Sequence, residues 1–483
     1  MSRHKRIVVV IALGAAVIGS PGINAQQDQQ SSQQQPPQQA PAPEPTWQQK
    51  YEELEQRQRI VERKLELKQE ADDTKAKEQA AKAKETPIVK AGQDGFSLQS
   101  ADGNFVLRLR GYVQADGRFY PGDDANNATD TFLLRRVRPI FEGTVFRDFD
   151  FRLMPDFGNG ANSTNIIQDA YVEWKYWPFL KVRAGKYKPP VGLEMLQSDT
   201  DLLFTERGLP TDLVPQRDVG VQLSGDFFDG VVSYAGGVFN GVVDGGIADI
   251  DTFDSKDADA RVWFQPFKKA GVEPLQGLGF GVAGTIGSEN GSLASPNLPS
   301  YKTTGQNTFF KYLGNSTNLT TTAIANGSRD RLSPQASYYW GPVGVFGEYV
   351  ISEQEVMKGA SSDRLRNQAW QVAGSWVVTG ENASYKAVTP RKPFDLKKGG
   401  WGALELTARY GLLRIDKEAF PTYADPNKSA QEACEWGVGA NWYLNRNVKL
   451  VLDYEQTAFN GGAAGGADRE TERVIFTRAQ LQF

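Results

Sequence analysis

The side chains with the most chemistry to offer in this 483-residue chain are its arginines and lysines, because many recur at two-residue spacing. Arg108 and Arg110, Arg136 and Arg138, and Lys181 and Arg183 each alternate with apolar residues, as in FVLRLR (105–110). On a strand that spacing puts the cations on one face. Facing guanidiniums can replace the water around an anion with N–H donors. Two or three cations at ~5 Å from a dianion supply several kcal/mol at an effective dielectric of ~20. In a wide wet passage most of that is lost beyond a Debye length of ~8 Å, so binding requires a constriction. One stretch could form it: FLKVRAGKYKPPVGLEMLQSDTDLLFTERGLPTDLVPQR (179–217) runs as a strand into Lys186, Lys188 and Pro189–Pro190. Alternation is then absent until Val219, and the stretch also carries Arg207 and Arg217. We read 188–217 as a loop folded into the mouth of a barrel, where it sets what passes through. Phase puts Lys186 on the outer row of Leu180, Val182 and Ala184 unless the chain turns at Gly185, so Lys188 ranks ahead of it.

Other chemistries have little to work with. The chain has one histidine, His4, and one cysteine, Cys434. That leaves no Ser–His or Cys–His dyad, no His- or multi-Cys-ligated metal site and no internal disulfide. Neither an enzyme, a cofactor nor a nucleic-acid partner is expected.

The elements that must position these cations follow from the chain in order. Arg3, Lys5 and Arg6 precede an apolar run from Ile7 to Ile18, and Ala25 stands before a Gln-rich stretch, the pattern of a signal peptide over 1–25. Its removal takes three cations and His4, moving the net charge from −4 to −7. Residues 26–45 are Gln/Pro-rich and read as a spacer. From 46 to 86 the chain is charged and helix-forming, and Trp47, Tyr51, Leu54, Val61 and Leu65 fall on a heptad seam interrupted by Gln58. A short trimeric coiled coil and a solvated single helix both fit this pattern. Residues 87–103 read as a linker.

From Phe105 onward period-two alternation dominates. It fits a soluble sandwich or a membrane barrel with lipid outside and a wet lumen inside. Counting separates them. Sixteen candidate strands occur, at 105–119, 132–145, 148–156, 166–177, 179–187, 218–226, 231–240, 257–267, 277–286, 333–340, 343–352, 367–378, 401–413, 432–443, 447–457 and 472–483. Their connections alternate between long polar loops and mostly short turns, with 379–400 the one long turn out of pattern. Aromatics gather at strand ends (Trp174, Tyr176, Trp177, Phe179; Tyr338, Tyr339, Trp340; Trp442, Tyr443), and an amphipathic strand closes the sequence on Phe483. The expected fold is all-β: a 16-stranded antiparallel transmembrane β-barrel over 104–483, preceded by the N-terminal coiled-coil helix. The expected location is the outer membrane of a Gram-negative-type bacterium, with the N-terminal segment in the periplasm.

With faces assigned, Arg108, Arg110, Arg136, Arg138, Arg183 and Arg261 form an inward arginine track, and Arg118, Arg152, Lys181, Arg409 and Arg478 also point inward. Inward acids (Asp116, Glu142, Asp150, Asp156, Asp169, Glu173, Asp259, Glu405) are more scattered. Opposed rows that cancel into a weakly selective pore, and a basic track for anions, both remain open.

Several runs resemble a known family: FLLRRVRPIFEGTVFRDFDFRLMPDFG (132–158), DAYVEWKYW (169–177), VRAGKYKPPVGLE (182–194), FTERGLPTDLVPQRDVGVQL (204–223), VFNG (238–241), TGENASYKAVTPRKPFD (379–395) and GALELTARYGLL (402–413). These are similar to the outer-membrane phosphate-selective porins O and P. The resemblance, over roughly 100–483, implies a sixteen-stranded barrel, a homotrimer, an inward third loop, an eyelet lined by Lys and Arg, and a long turn at 379–400. Its GKxKPxxGLE motif places Lys186 and Lys188 at the start of that loop, and with Arg207 and Arg217 from the ERG and PQR portions the resemblance implies these four as the anion-binding residues of the eyelet. Two features depart from it: the 26–100 extension, and a loop centre with Glu194, Asp199 and Asp201 but no lysine. Passive passage of inorganic phosphate or other small anions across the outer-membrane lipid is the expected function. A general weakly selective porin and a trimeric envelope-spacing protein are the alternatives.

Overall fold

The computed structural model describes residues 46–93, 95–122, 128–158, 166–251, 253–315 and 317–483; the expected signal peptide and Gln/Pro spacer lie outside the described residues. The chain divides into two units, 1–77 and 78–483.

Helix α1 (Trp47–Glu85) covers the segment expected to be helical. Gln49 caps its start by accepting from the Thr46 amide (3.0 Å). Ion pairs one turn apart, Glu53–Arg57 (2.8 Å) and Arg63–Glu66 (2.9 Å), support its surface. The heptad residues Trp47, Tyr51, Leu54, Val61 and Leu65 are all exposed.

Two short strands, β1 (Ile88–Gly92) and β2 (Gly95–Gln99), form a hairpin where the sequence reading has a linker. The barrel strands follow: β3 (Val106–Phe119), β4 (Thr131–Val145), β5 (Phe149–Pro155), β6 (Ile167–Trp177), β7 (Leu180–Tyr187), β8 (Asp218–Phe227), β9 (Val232–Phe239), β10 (Asp257–Phe264) and β11 (Gly279–Asn290). After the small hairpin β12 (Ser300–Lys302) and β13 (Thr308–Lys311) come β14 (Ile324–Trp340), β15 (Val343–Lys358), β16 (Ser361–Val377), β17 (Ala403–Arg414), β18 (Ala430–Tyr443), β19 (Val448–Gly461) and β20 (Glu472–Gln482). Each barrel strand pairs antiparallel with the next, and β20 returns to β3 from Ile475↔Phe119 to Gln482↔Tyr112. Of the eighteen strands in this sheet two belong to the N-terminal hairpin, so sixteen close the barrel.

The closing seam explains two sequence features. β20 covers β3 only from Tyr112 onward, and β2 pairs with the rest of that edge, from Phe96↔Leu109 to Gln99↔Val106. An edge that would otherwise stay unpaired is thereby covered. Phe483 sits at the junction, exchanging backbone hydrogen bonds with Gly111 (3.1 and 3.0 Å) and meeting the Phe96 ring edge-on.

Alternation tracks burial along most of the barrel: Leu107, Val221, Val372 and Leu452 are exposed outward, while Gln114, Asp116 and Arg478 are buried inward. The main departure is length. β14, β15 and β16 run well past their expected limits toward the long-loop rim, and β15 and β16 meet in a tight turn where 353–366 was expected to be a long loop. The outer faces of these extensions are charged: Arg364 pairs with Asp330 (2.6 Å) and Glu353 (2.8 Å). Strand that stands clear of an apolar surroundings needs no apolar row, so the alternation signal fades there while the ladder continues.

At Gly185 β7 adopts a backbone only glycine takes comfortably, with φ +130°. An added Cβ would lie 2.2 Å from the Ala170 carbonyl oxygen. Even so, Lys186 pairs with Ala170 and Val219 and remains on the outer row of Val182 and Ala184. We expect Gly185→Ala to destabilise the barrel by about 1–3 kcal/mol. The check is the temperature at which the folded, fast-migrating gel form is lost; an unchanged temperature would contradict the close approach.

Candidate functional site

The loop 188–217 lies in the lumen against the wall formed by β15–β20 and β3. It contains a one-turn helix α2 (Leu193–Leu196) and a 3-10 turn (Leu209–Leu213), so most of its backbone has no ladder partner. Wall side chains take that role, as buried amides and carbonyls require. Glu348 accepts from the Leu193 and Glu194 amides (2.6 and 3.2 Å), Asp453 from Thr205 (2.7 Å) and Glu435 from Leu209 (3.2 Å). Asn441 donates to the Leu203 carbonyl (2.8 Å), Lys449 to Leu202 (3.0 Å) and Gln480 to Thr200 (3.1 Å). Leu193, Leu203 and Phe204 pack on Phe346 and Ala373, with the Arg409 guanidinium 4.4 Å from the Phe204 ring centre. Gly208 allows the closest approach, since a Cβ there would meet Gln371 Oε1 at 2.0 Å. From the short-turn rim, the long segment 378–402 reaches the same loop. Tyr385 donates to the Leu193 carbonyl, and the Tyr385 carbonyl accepts from Gln197 (2.7 Å).

So placed, the loop separates two cavities. One, of about 590 Å³, opens toward the long loops and is lined by Arg118, Arg135, Arg136, Arg138, Arg207, Arg217 and Lys302 against Asp199, Glu206, Asp212 and Asp244. The other, of about 600 Å³, opens toward the short turns. Its charged lining is Arg110, Arg152, Arg183, Lys188, Arg217, Lys386 and Arg446 against Asp169, Asp199 and Asp201. Among the described residues, cations outnumber carboxylates by seven to four in the first and seven to three in the second. Among the described residues, Asp199 and Arg217 line both cavities, and we place the constriction where they meet.

The constriction is densely ion-paired. Asp199 accepts from Arg207 Nη1 (2.5 Å), Arg138 Nη1 and the Tyr112 hydroxyl (3.1 Å), and Arg136 Nη2 lies 3.5 Å away. Burial opposes its charge, yet Arg136, Arg207 and Arg138 hold its carboxyl well below the usual range. Glu206 bridges Arg118 (3.0 Å) and Arg135 (2.5 Å) and is held low in the same way, burial being outweighed by Arg135 and Arg136. Arg138 also binds Asp156 (2.7 Å), and Arg217 binds Asp169 (2.9 Å).

The residues expected from sequence divide accordingly. Arg136, Arg138, Arg207 and Arg217 line the long-loop cavity; Arg110, Arg183, Lys188 and Arg217 line the other. Arg110 pairs with Glu142 (3.3 Å), and Arg183 binds Glu173 (2.8 Å) beneath the Tyr171 ring. Lys188 donates to the Gln197 carbonyl (2.7 Å); burial first, then Arg207, makes its positive charge costly. Lys186, Arg108 and Arg261 line neither cavity. Lys186 is buried against Asp249 on the outer row, Arg108 lies across from Glu142 in the β3–β4 register, and Arg261 binds Gln335 (3.0 Å) and stacks on Trp263. Alternation missed Arg135. The register skips it between Gln114↔Arg136 and Ala115↔Leu134, a bulge that turns it inward beside Arg136 onto Glu206. It also missed Arg329 and Arg331, buried lumen residues on the unrecognised part of β14.

The family described as phosphate-selective porin O and P matches residues 107–483. A search of curated proteins finds no match. Among solved structures, the outer-membrane channel DcaP of Acinetobacter baumannii aligns with TM-score 0.50 and 11% identity over 80% of this chain and 99% of its own. An anion-selective porin from Comamonas acidovorans aligns with TM-score 0.48 and 13% identity, over 78% and 100%. The trimer form of OmpT from Vibrio cholerae gives 0.46 and 13%, over 78% and 99%.

One loop group should titrate near neutrality. Asp212, in the long-loop cavity, accepts from the Lys302 amide (2.9 Å). Burial, with lesser pushes from Glu435 and Asp244, raises its carboxyl to about 8. An acid raised this way is mostly neutral at pH 7 and ionised at pH 9, so rising pH adds negative charge to that cavity. The expected outcome is a fall in anion preference between pH 7 and pH 9, measured by reversal potential, that Asp212→Asn removes. A profile identical in the variant would contradict it.

Proposed function

This chain belongs to the phosphate-selective porin O and P family, and on that premise we propose that it is an outer-membrane porin that passes small anions in preference to cations. That it is an outer-membrane porin follows from family and fold; the choice of solute is the proposal. The observation carrying it is the excess of cationic side chains lining both cavities, converging on Arg217 at the constriction. Entering anions meet guanidiniums at the point where water is most restricted, which is where fixed charge acts with least screening. Phosphate-like oxyanions suit this best, because a planar guanidinium donates to two oxygens at once. The acids in the same walls favour weak selectivity and rapid exchange over tight capture.

We further propose that the long-loop rim faces outside and the N-terminal segment lies in the periplasm, where the exposed seam of α1 joins three copies. The support is the row of exposed apolar residues at heptad spacing.

The test is a planar-bilayer recording under a KCl gradient. A reversal potential of anionic sign is expected, with closure of one inserted unit in three equal steps as a trimer of independent pores requires. Added phosphate should reduce the chloride current. Arg217→Gln should reduce the anion preference several-fold more than Arg366→Gln, whose side chain is half exposed at the long-loop rim. A cationic sign would overturn the anion reading, and chloride current indifferent to phosphate would leave a general porin.

A further inference from the structure

We propose that the Asp199 carboxylate occupies the place of a permeant oxyanion and thereby sets how strongly the constriction selects anions. This deepens the anion-channel reading and rests on it.

The donors around Asp199 are those an oxyanion would choose. Its oxygens face the guanidiniums of Arg207, Arg138 and Arg136 and the Tyr112 hydroxyl. All four reach one carboxylate whose side chain is only 3% exposed. These are charge-assisted donors from three elements: β3 gives Tyr112, β4 gives Arg136 and Arg138, and the loop gives Arg207. Nothing in the fold needs three guanidiniums at this point merely to hold a loop, since the backbone is already anchored. The Asp199 carbonyl accepts from Gln114 (2.9 Å), and the Asp201 amide donates to the Ser198 carbonyl (3.0 Å). The carboxylate is thus presented at a fixed spot by contacts that do not use its charge.

Removing that charge leaves the three arginines in different positions. Arg138 retains Asp156 (2.7 Å), and Arg136 retains Glu206 (3.7 Å). Arg207 is left with the carbonyls of Glu194 (3.1 Å) and Gln197 (2.8 Å), which carry no net charge. The Arg207 guanidinium, with the Glu194 carboxylate acting on it from beyond ion-pair distance, then faces the point shared by both cavities under-neutralised. A buried charge left so is costly, and a mobile anion arriving from either side relieves it. The ligand class is a small oxyanion with at least two acceptor oxygens, which can span the space of the carboxylate; chloride offers one centre. In the native protein such an anion has to displace Asp199 from these donors to bind, so Asp199 keeps occupancy low and passage fast.

The experiment compares the full chain with Asp199→Asn in planar bilayers, using a KCl gradient and inorganic phosphate as the probe. The carboxamide conserves volume. Its reversal potential should move further toward that of chloride, and the phosphate concentration that halves the chloride current should fall about tenfold, a modest effect for losing one repulsive charge after salt screening. Asp254→Asn, on an exposed part of another loop, should match the native protein. Arg207→Gln provides a second route should the first variant fail to fold: leaving Asp199 under-neutralised, it should shift both readings the opposite way. The double variant should return toward the native values. An Asp199→Asn channel with native reversal potential and native phosphate block would overturn the proposal, as would an Arg207→Gln channel that is more anion-selective. The sign for the native channel tests the anion-channel reading separately, because the direction of change between native and variant decides this proposal whichever sign the native channel has.

Discussion

A loop that leaves the sheet and enters a barrel gives up its ladder partners, and its buried amides and carbonyls must be answered by something else. Here the answer comes from polar side chains of the opposite wall. Glu348, Glu435 and Asp453 accept from loop amides, and Asn441, Lys449 and Gln480 donate to loop carbonyls. An unmet backbone group costs roughly 1–3 kcal/mol, so the inner faces of β15–β20 are committed to the loop before they can serve any solute. The two cavities lie on the other side, where the loop meets the arginine-bearing strands β3–β7.

That placement accounts for the charge arrangement. Guanidiniums brought near one another and partly desolvated need counter-charges, and the loop and neighbouring strands supply them: Asp199 and Glu206 from the loop, Asp156 and Asp169 from the adjoining wall. Breaking one member of such a set leaves an uncompensated buried charge, typically at a cost of 3–5 kcal/mol. The arginine track is therefore not a bare ladder. Any anion preference comes from the modest surplus of cations over acids, and it acts where Arg217 and Asp199 meet both cavities.

Much of this was legible in the sequence, for identifiable reasons. Period-two alternation survives wherever one face meets an apolar surrounding, so the sixteen strands, their order and the position of the inward loop could be read directly. Legibility failed where that contrast disappears. β14–β16 continue with charged outer faces such as Arg364 and Glu353, and the missed start of β14 hid Arg329 and Arg331. A single bulge at Arg135 reversed the facing of one residue that counting could not place. Lys186 illustrates the converse: its phase put it on the outer row, the loop motif drew it toward the pore, and the register sides with phase. The pairing of each arginine with a particular acid depends on loop residues far away in sequence, and no spacing rule reaches them.

We expect solute to pass between the loop and the arginine wall, by way of the point at Asp199 where the two cavities meet. Thiol accessibility tests it most directly. With Cys434, the chain's one cysteine, replaced by Ser, Asp199→Cys would be treated in a bilayer with small charged thiol reagents from each side in turn. Reagent from either side is expected to reduce the conductance to the same level, with the anionic reagent reacting faster than the cationic one. Modification from one side only, or from both with unchanged conductance, would contradict it.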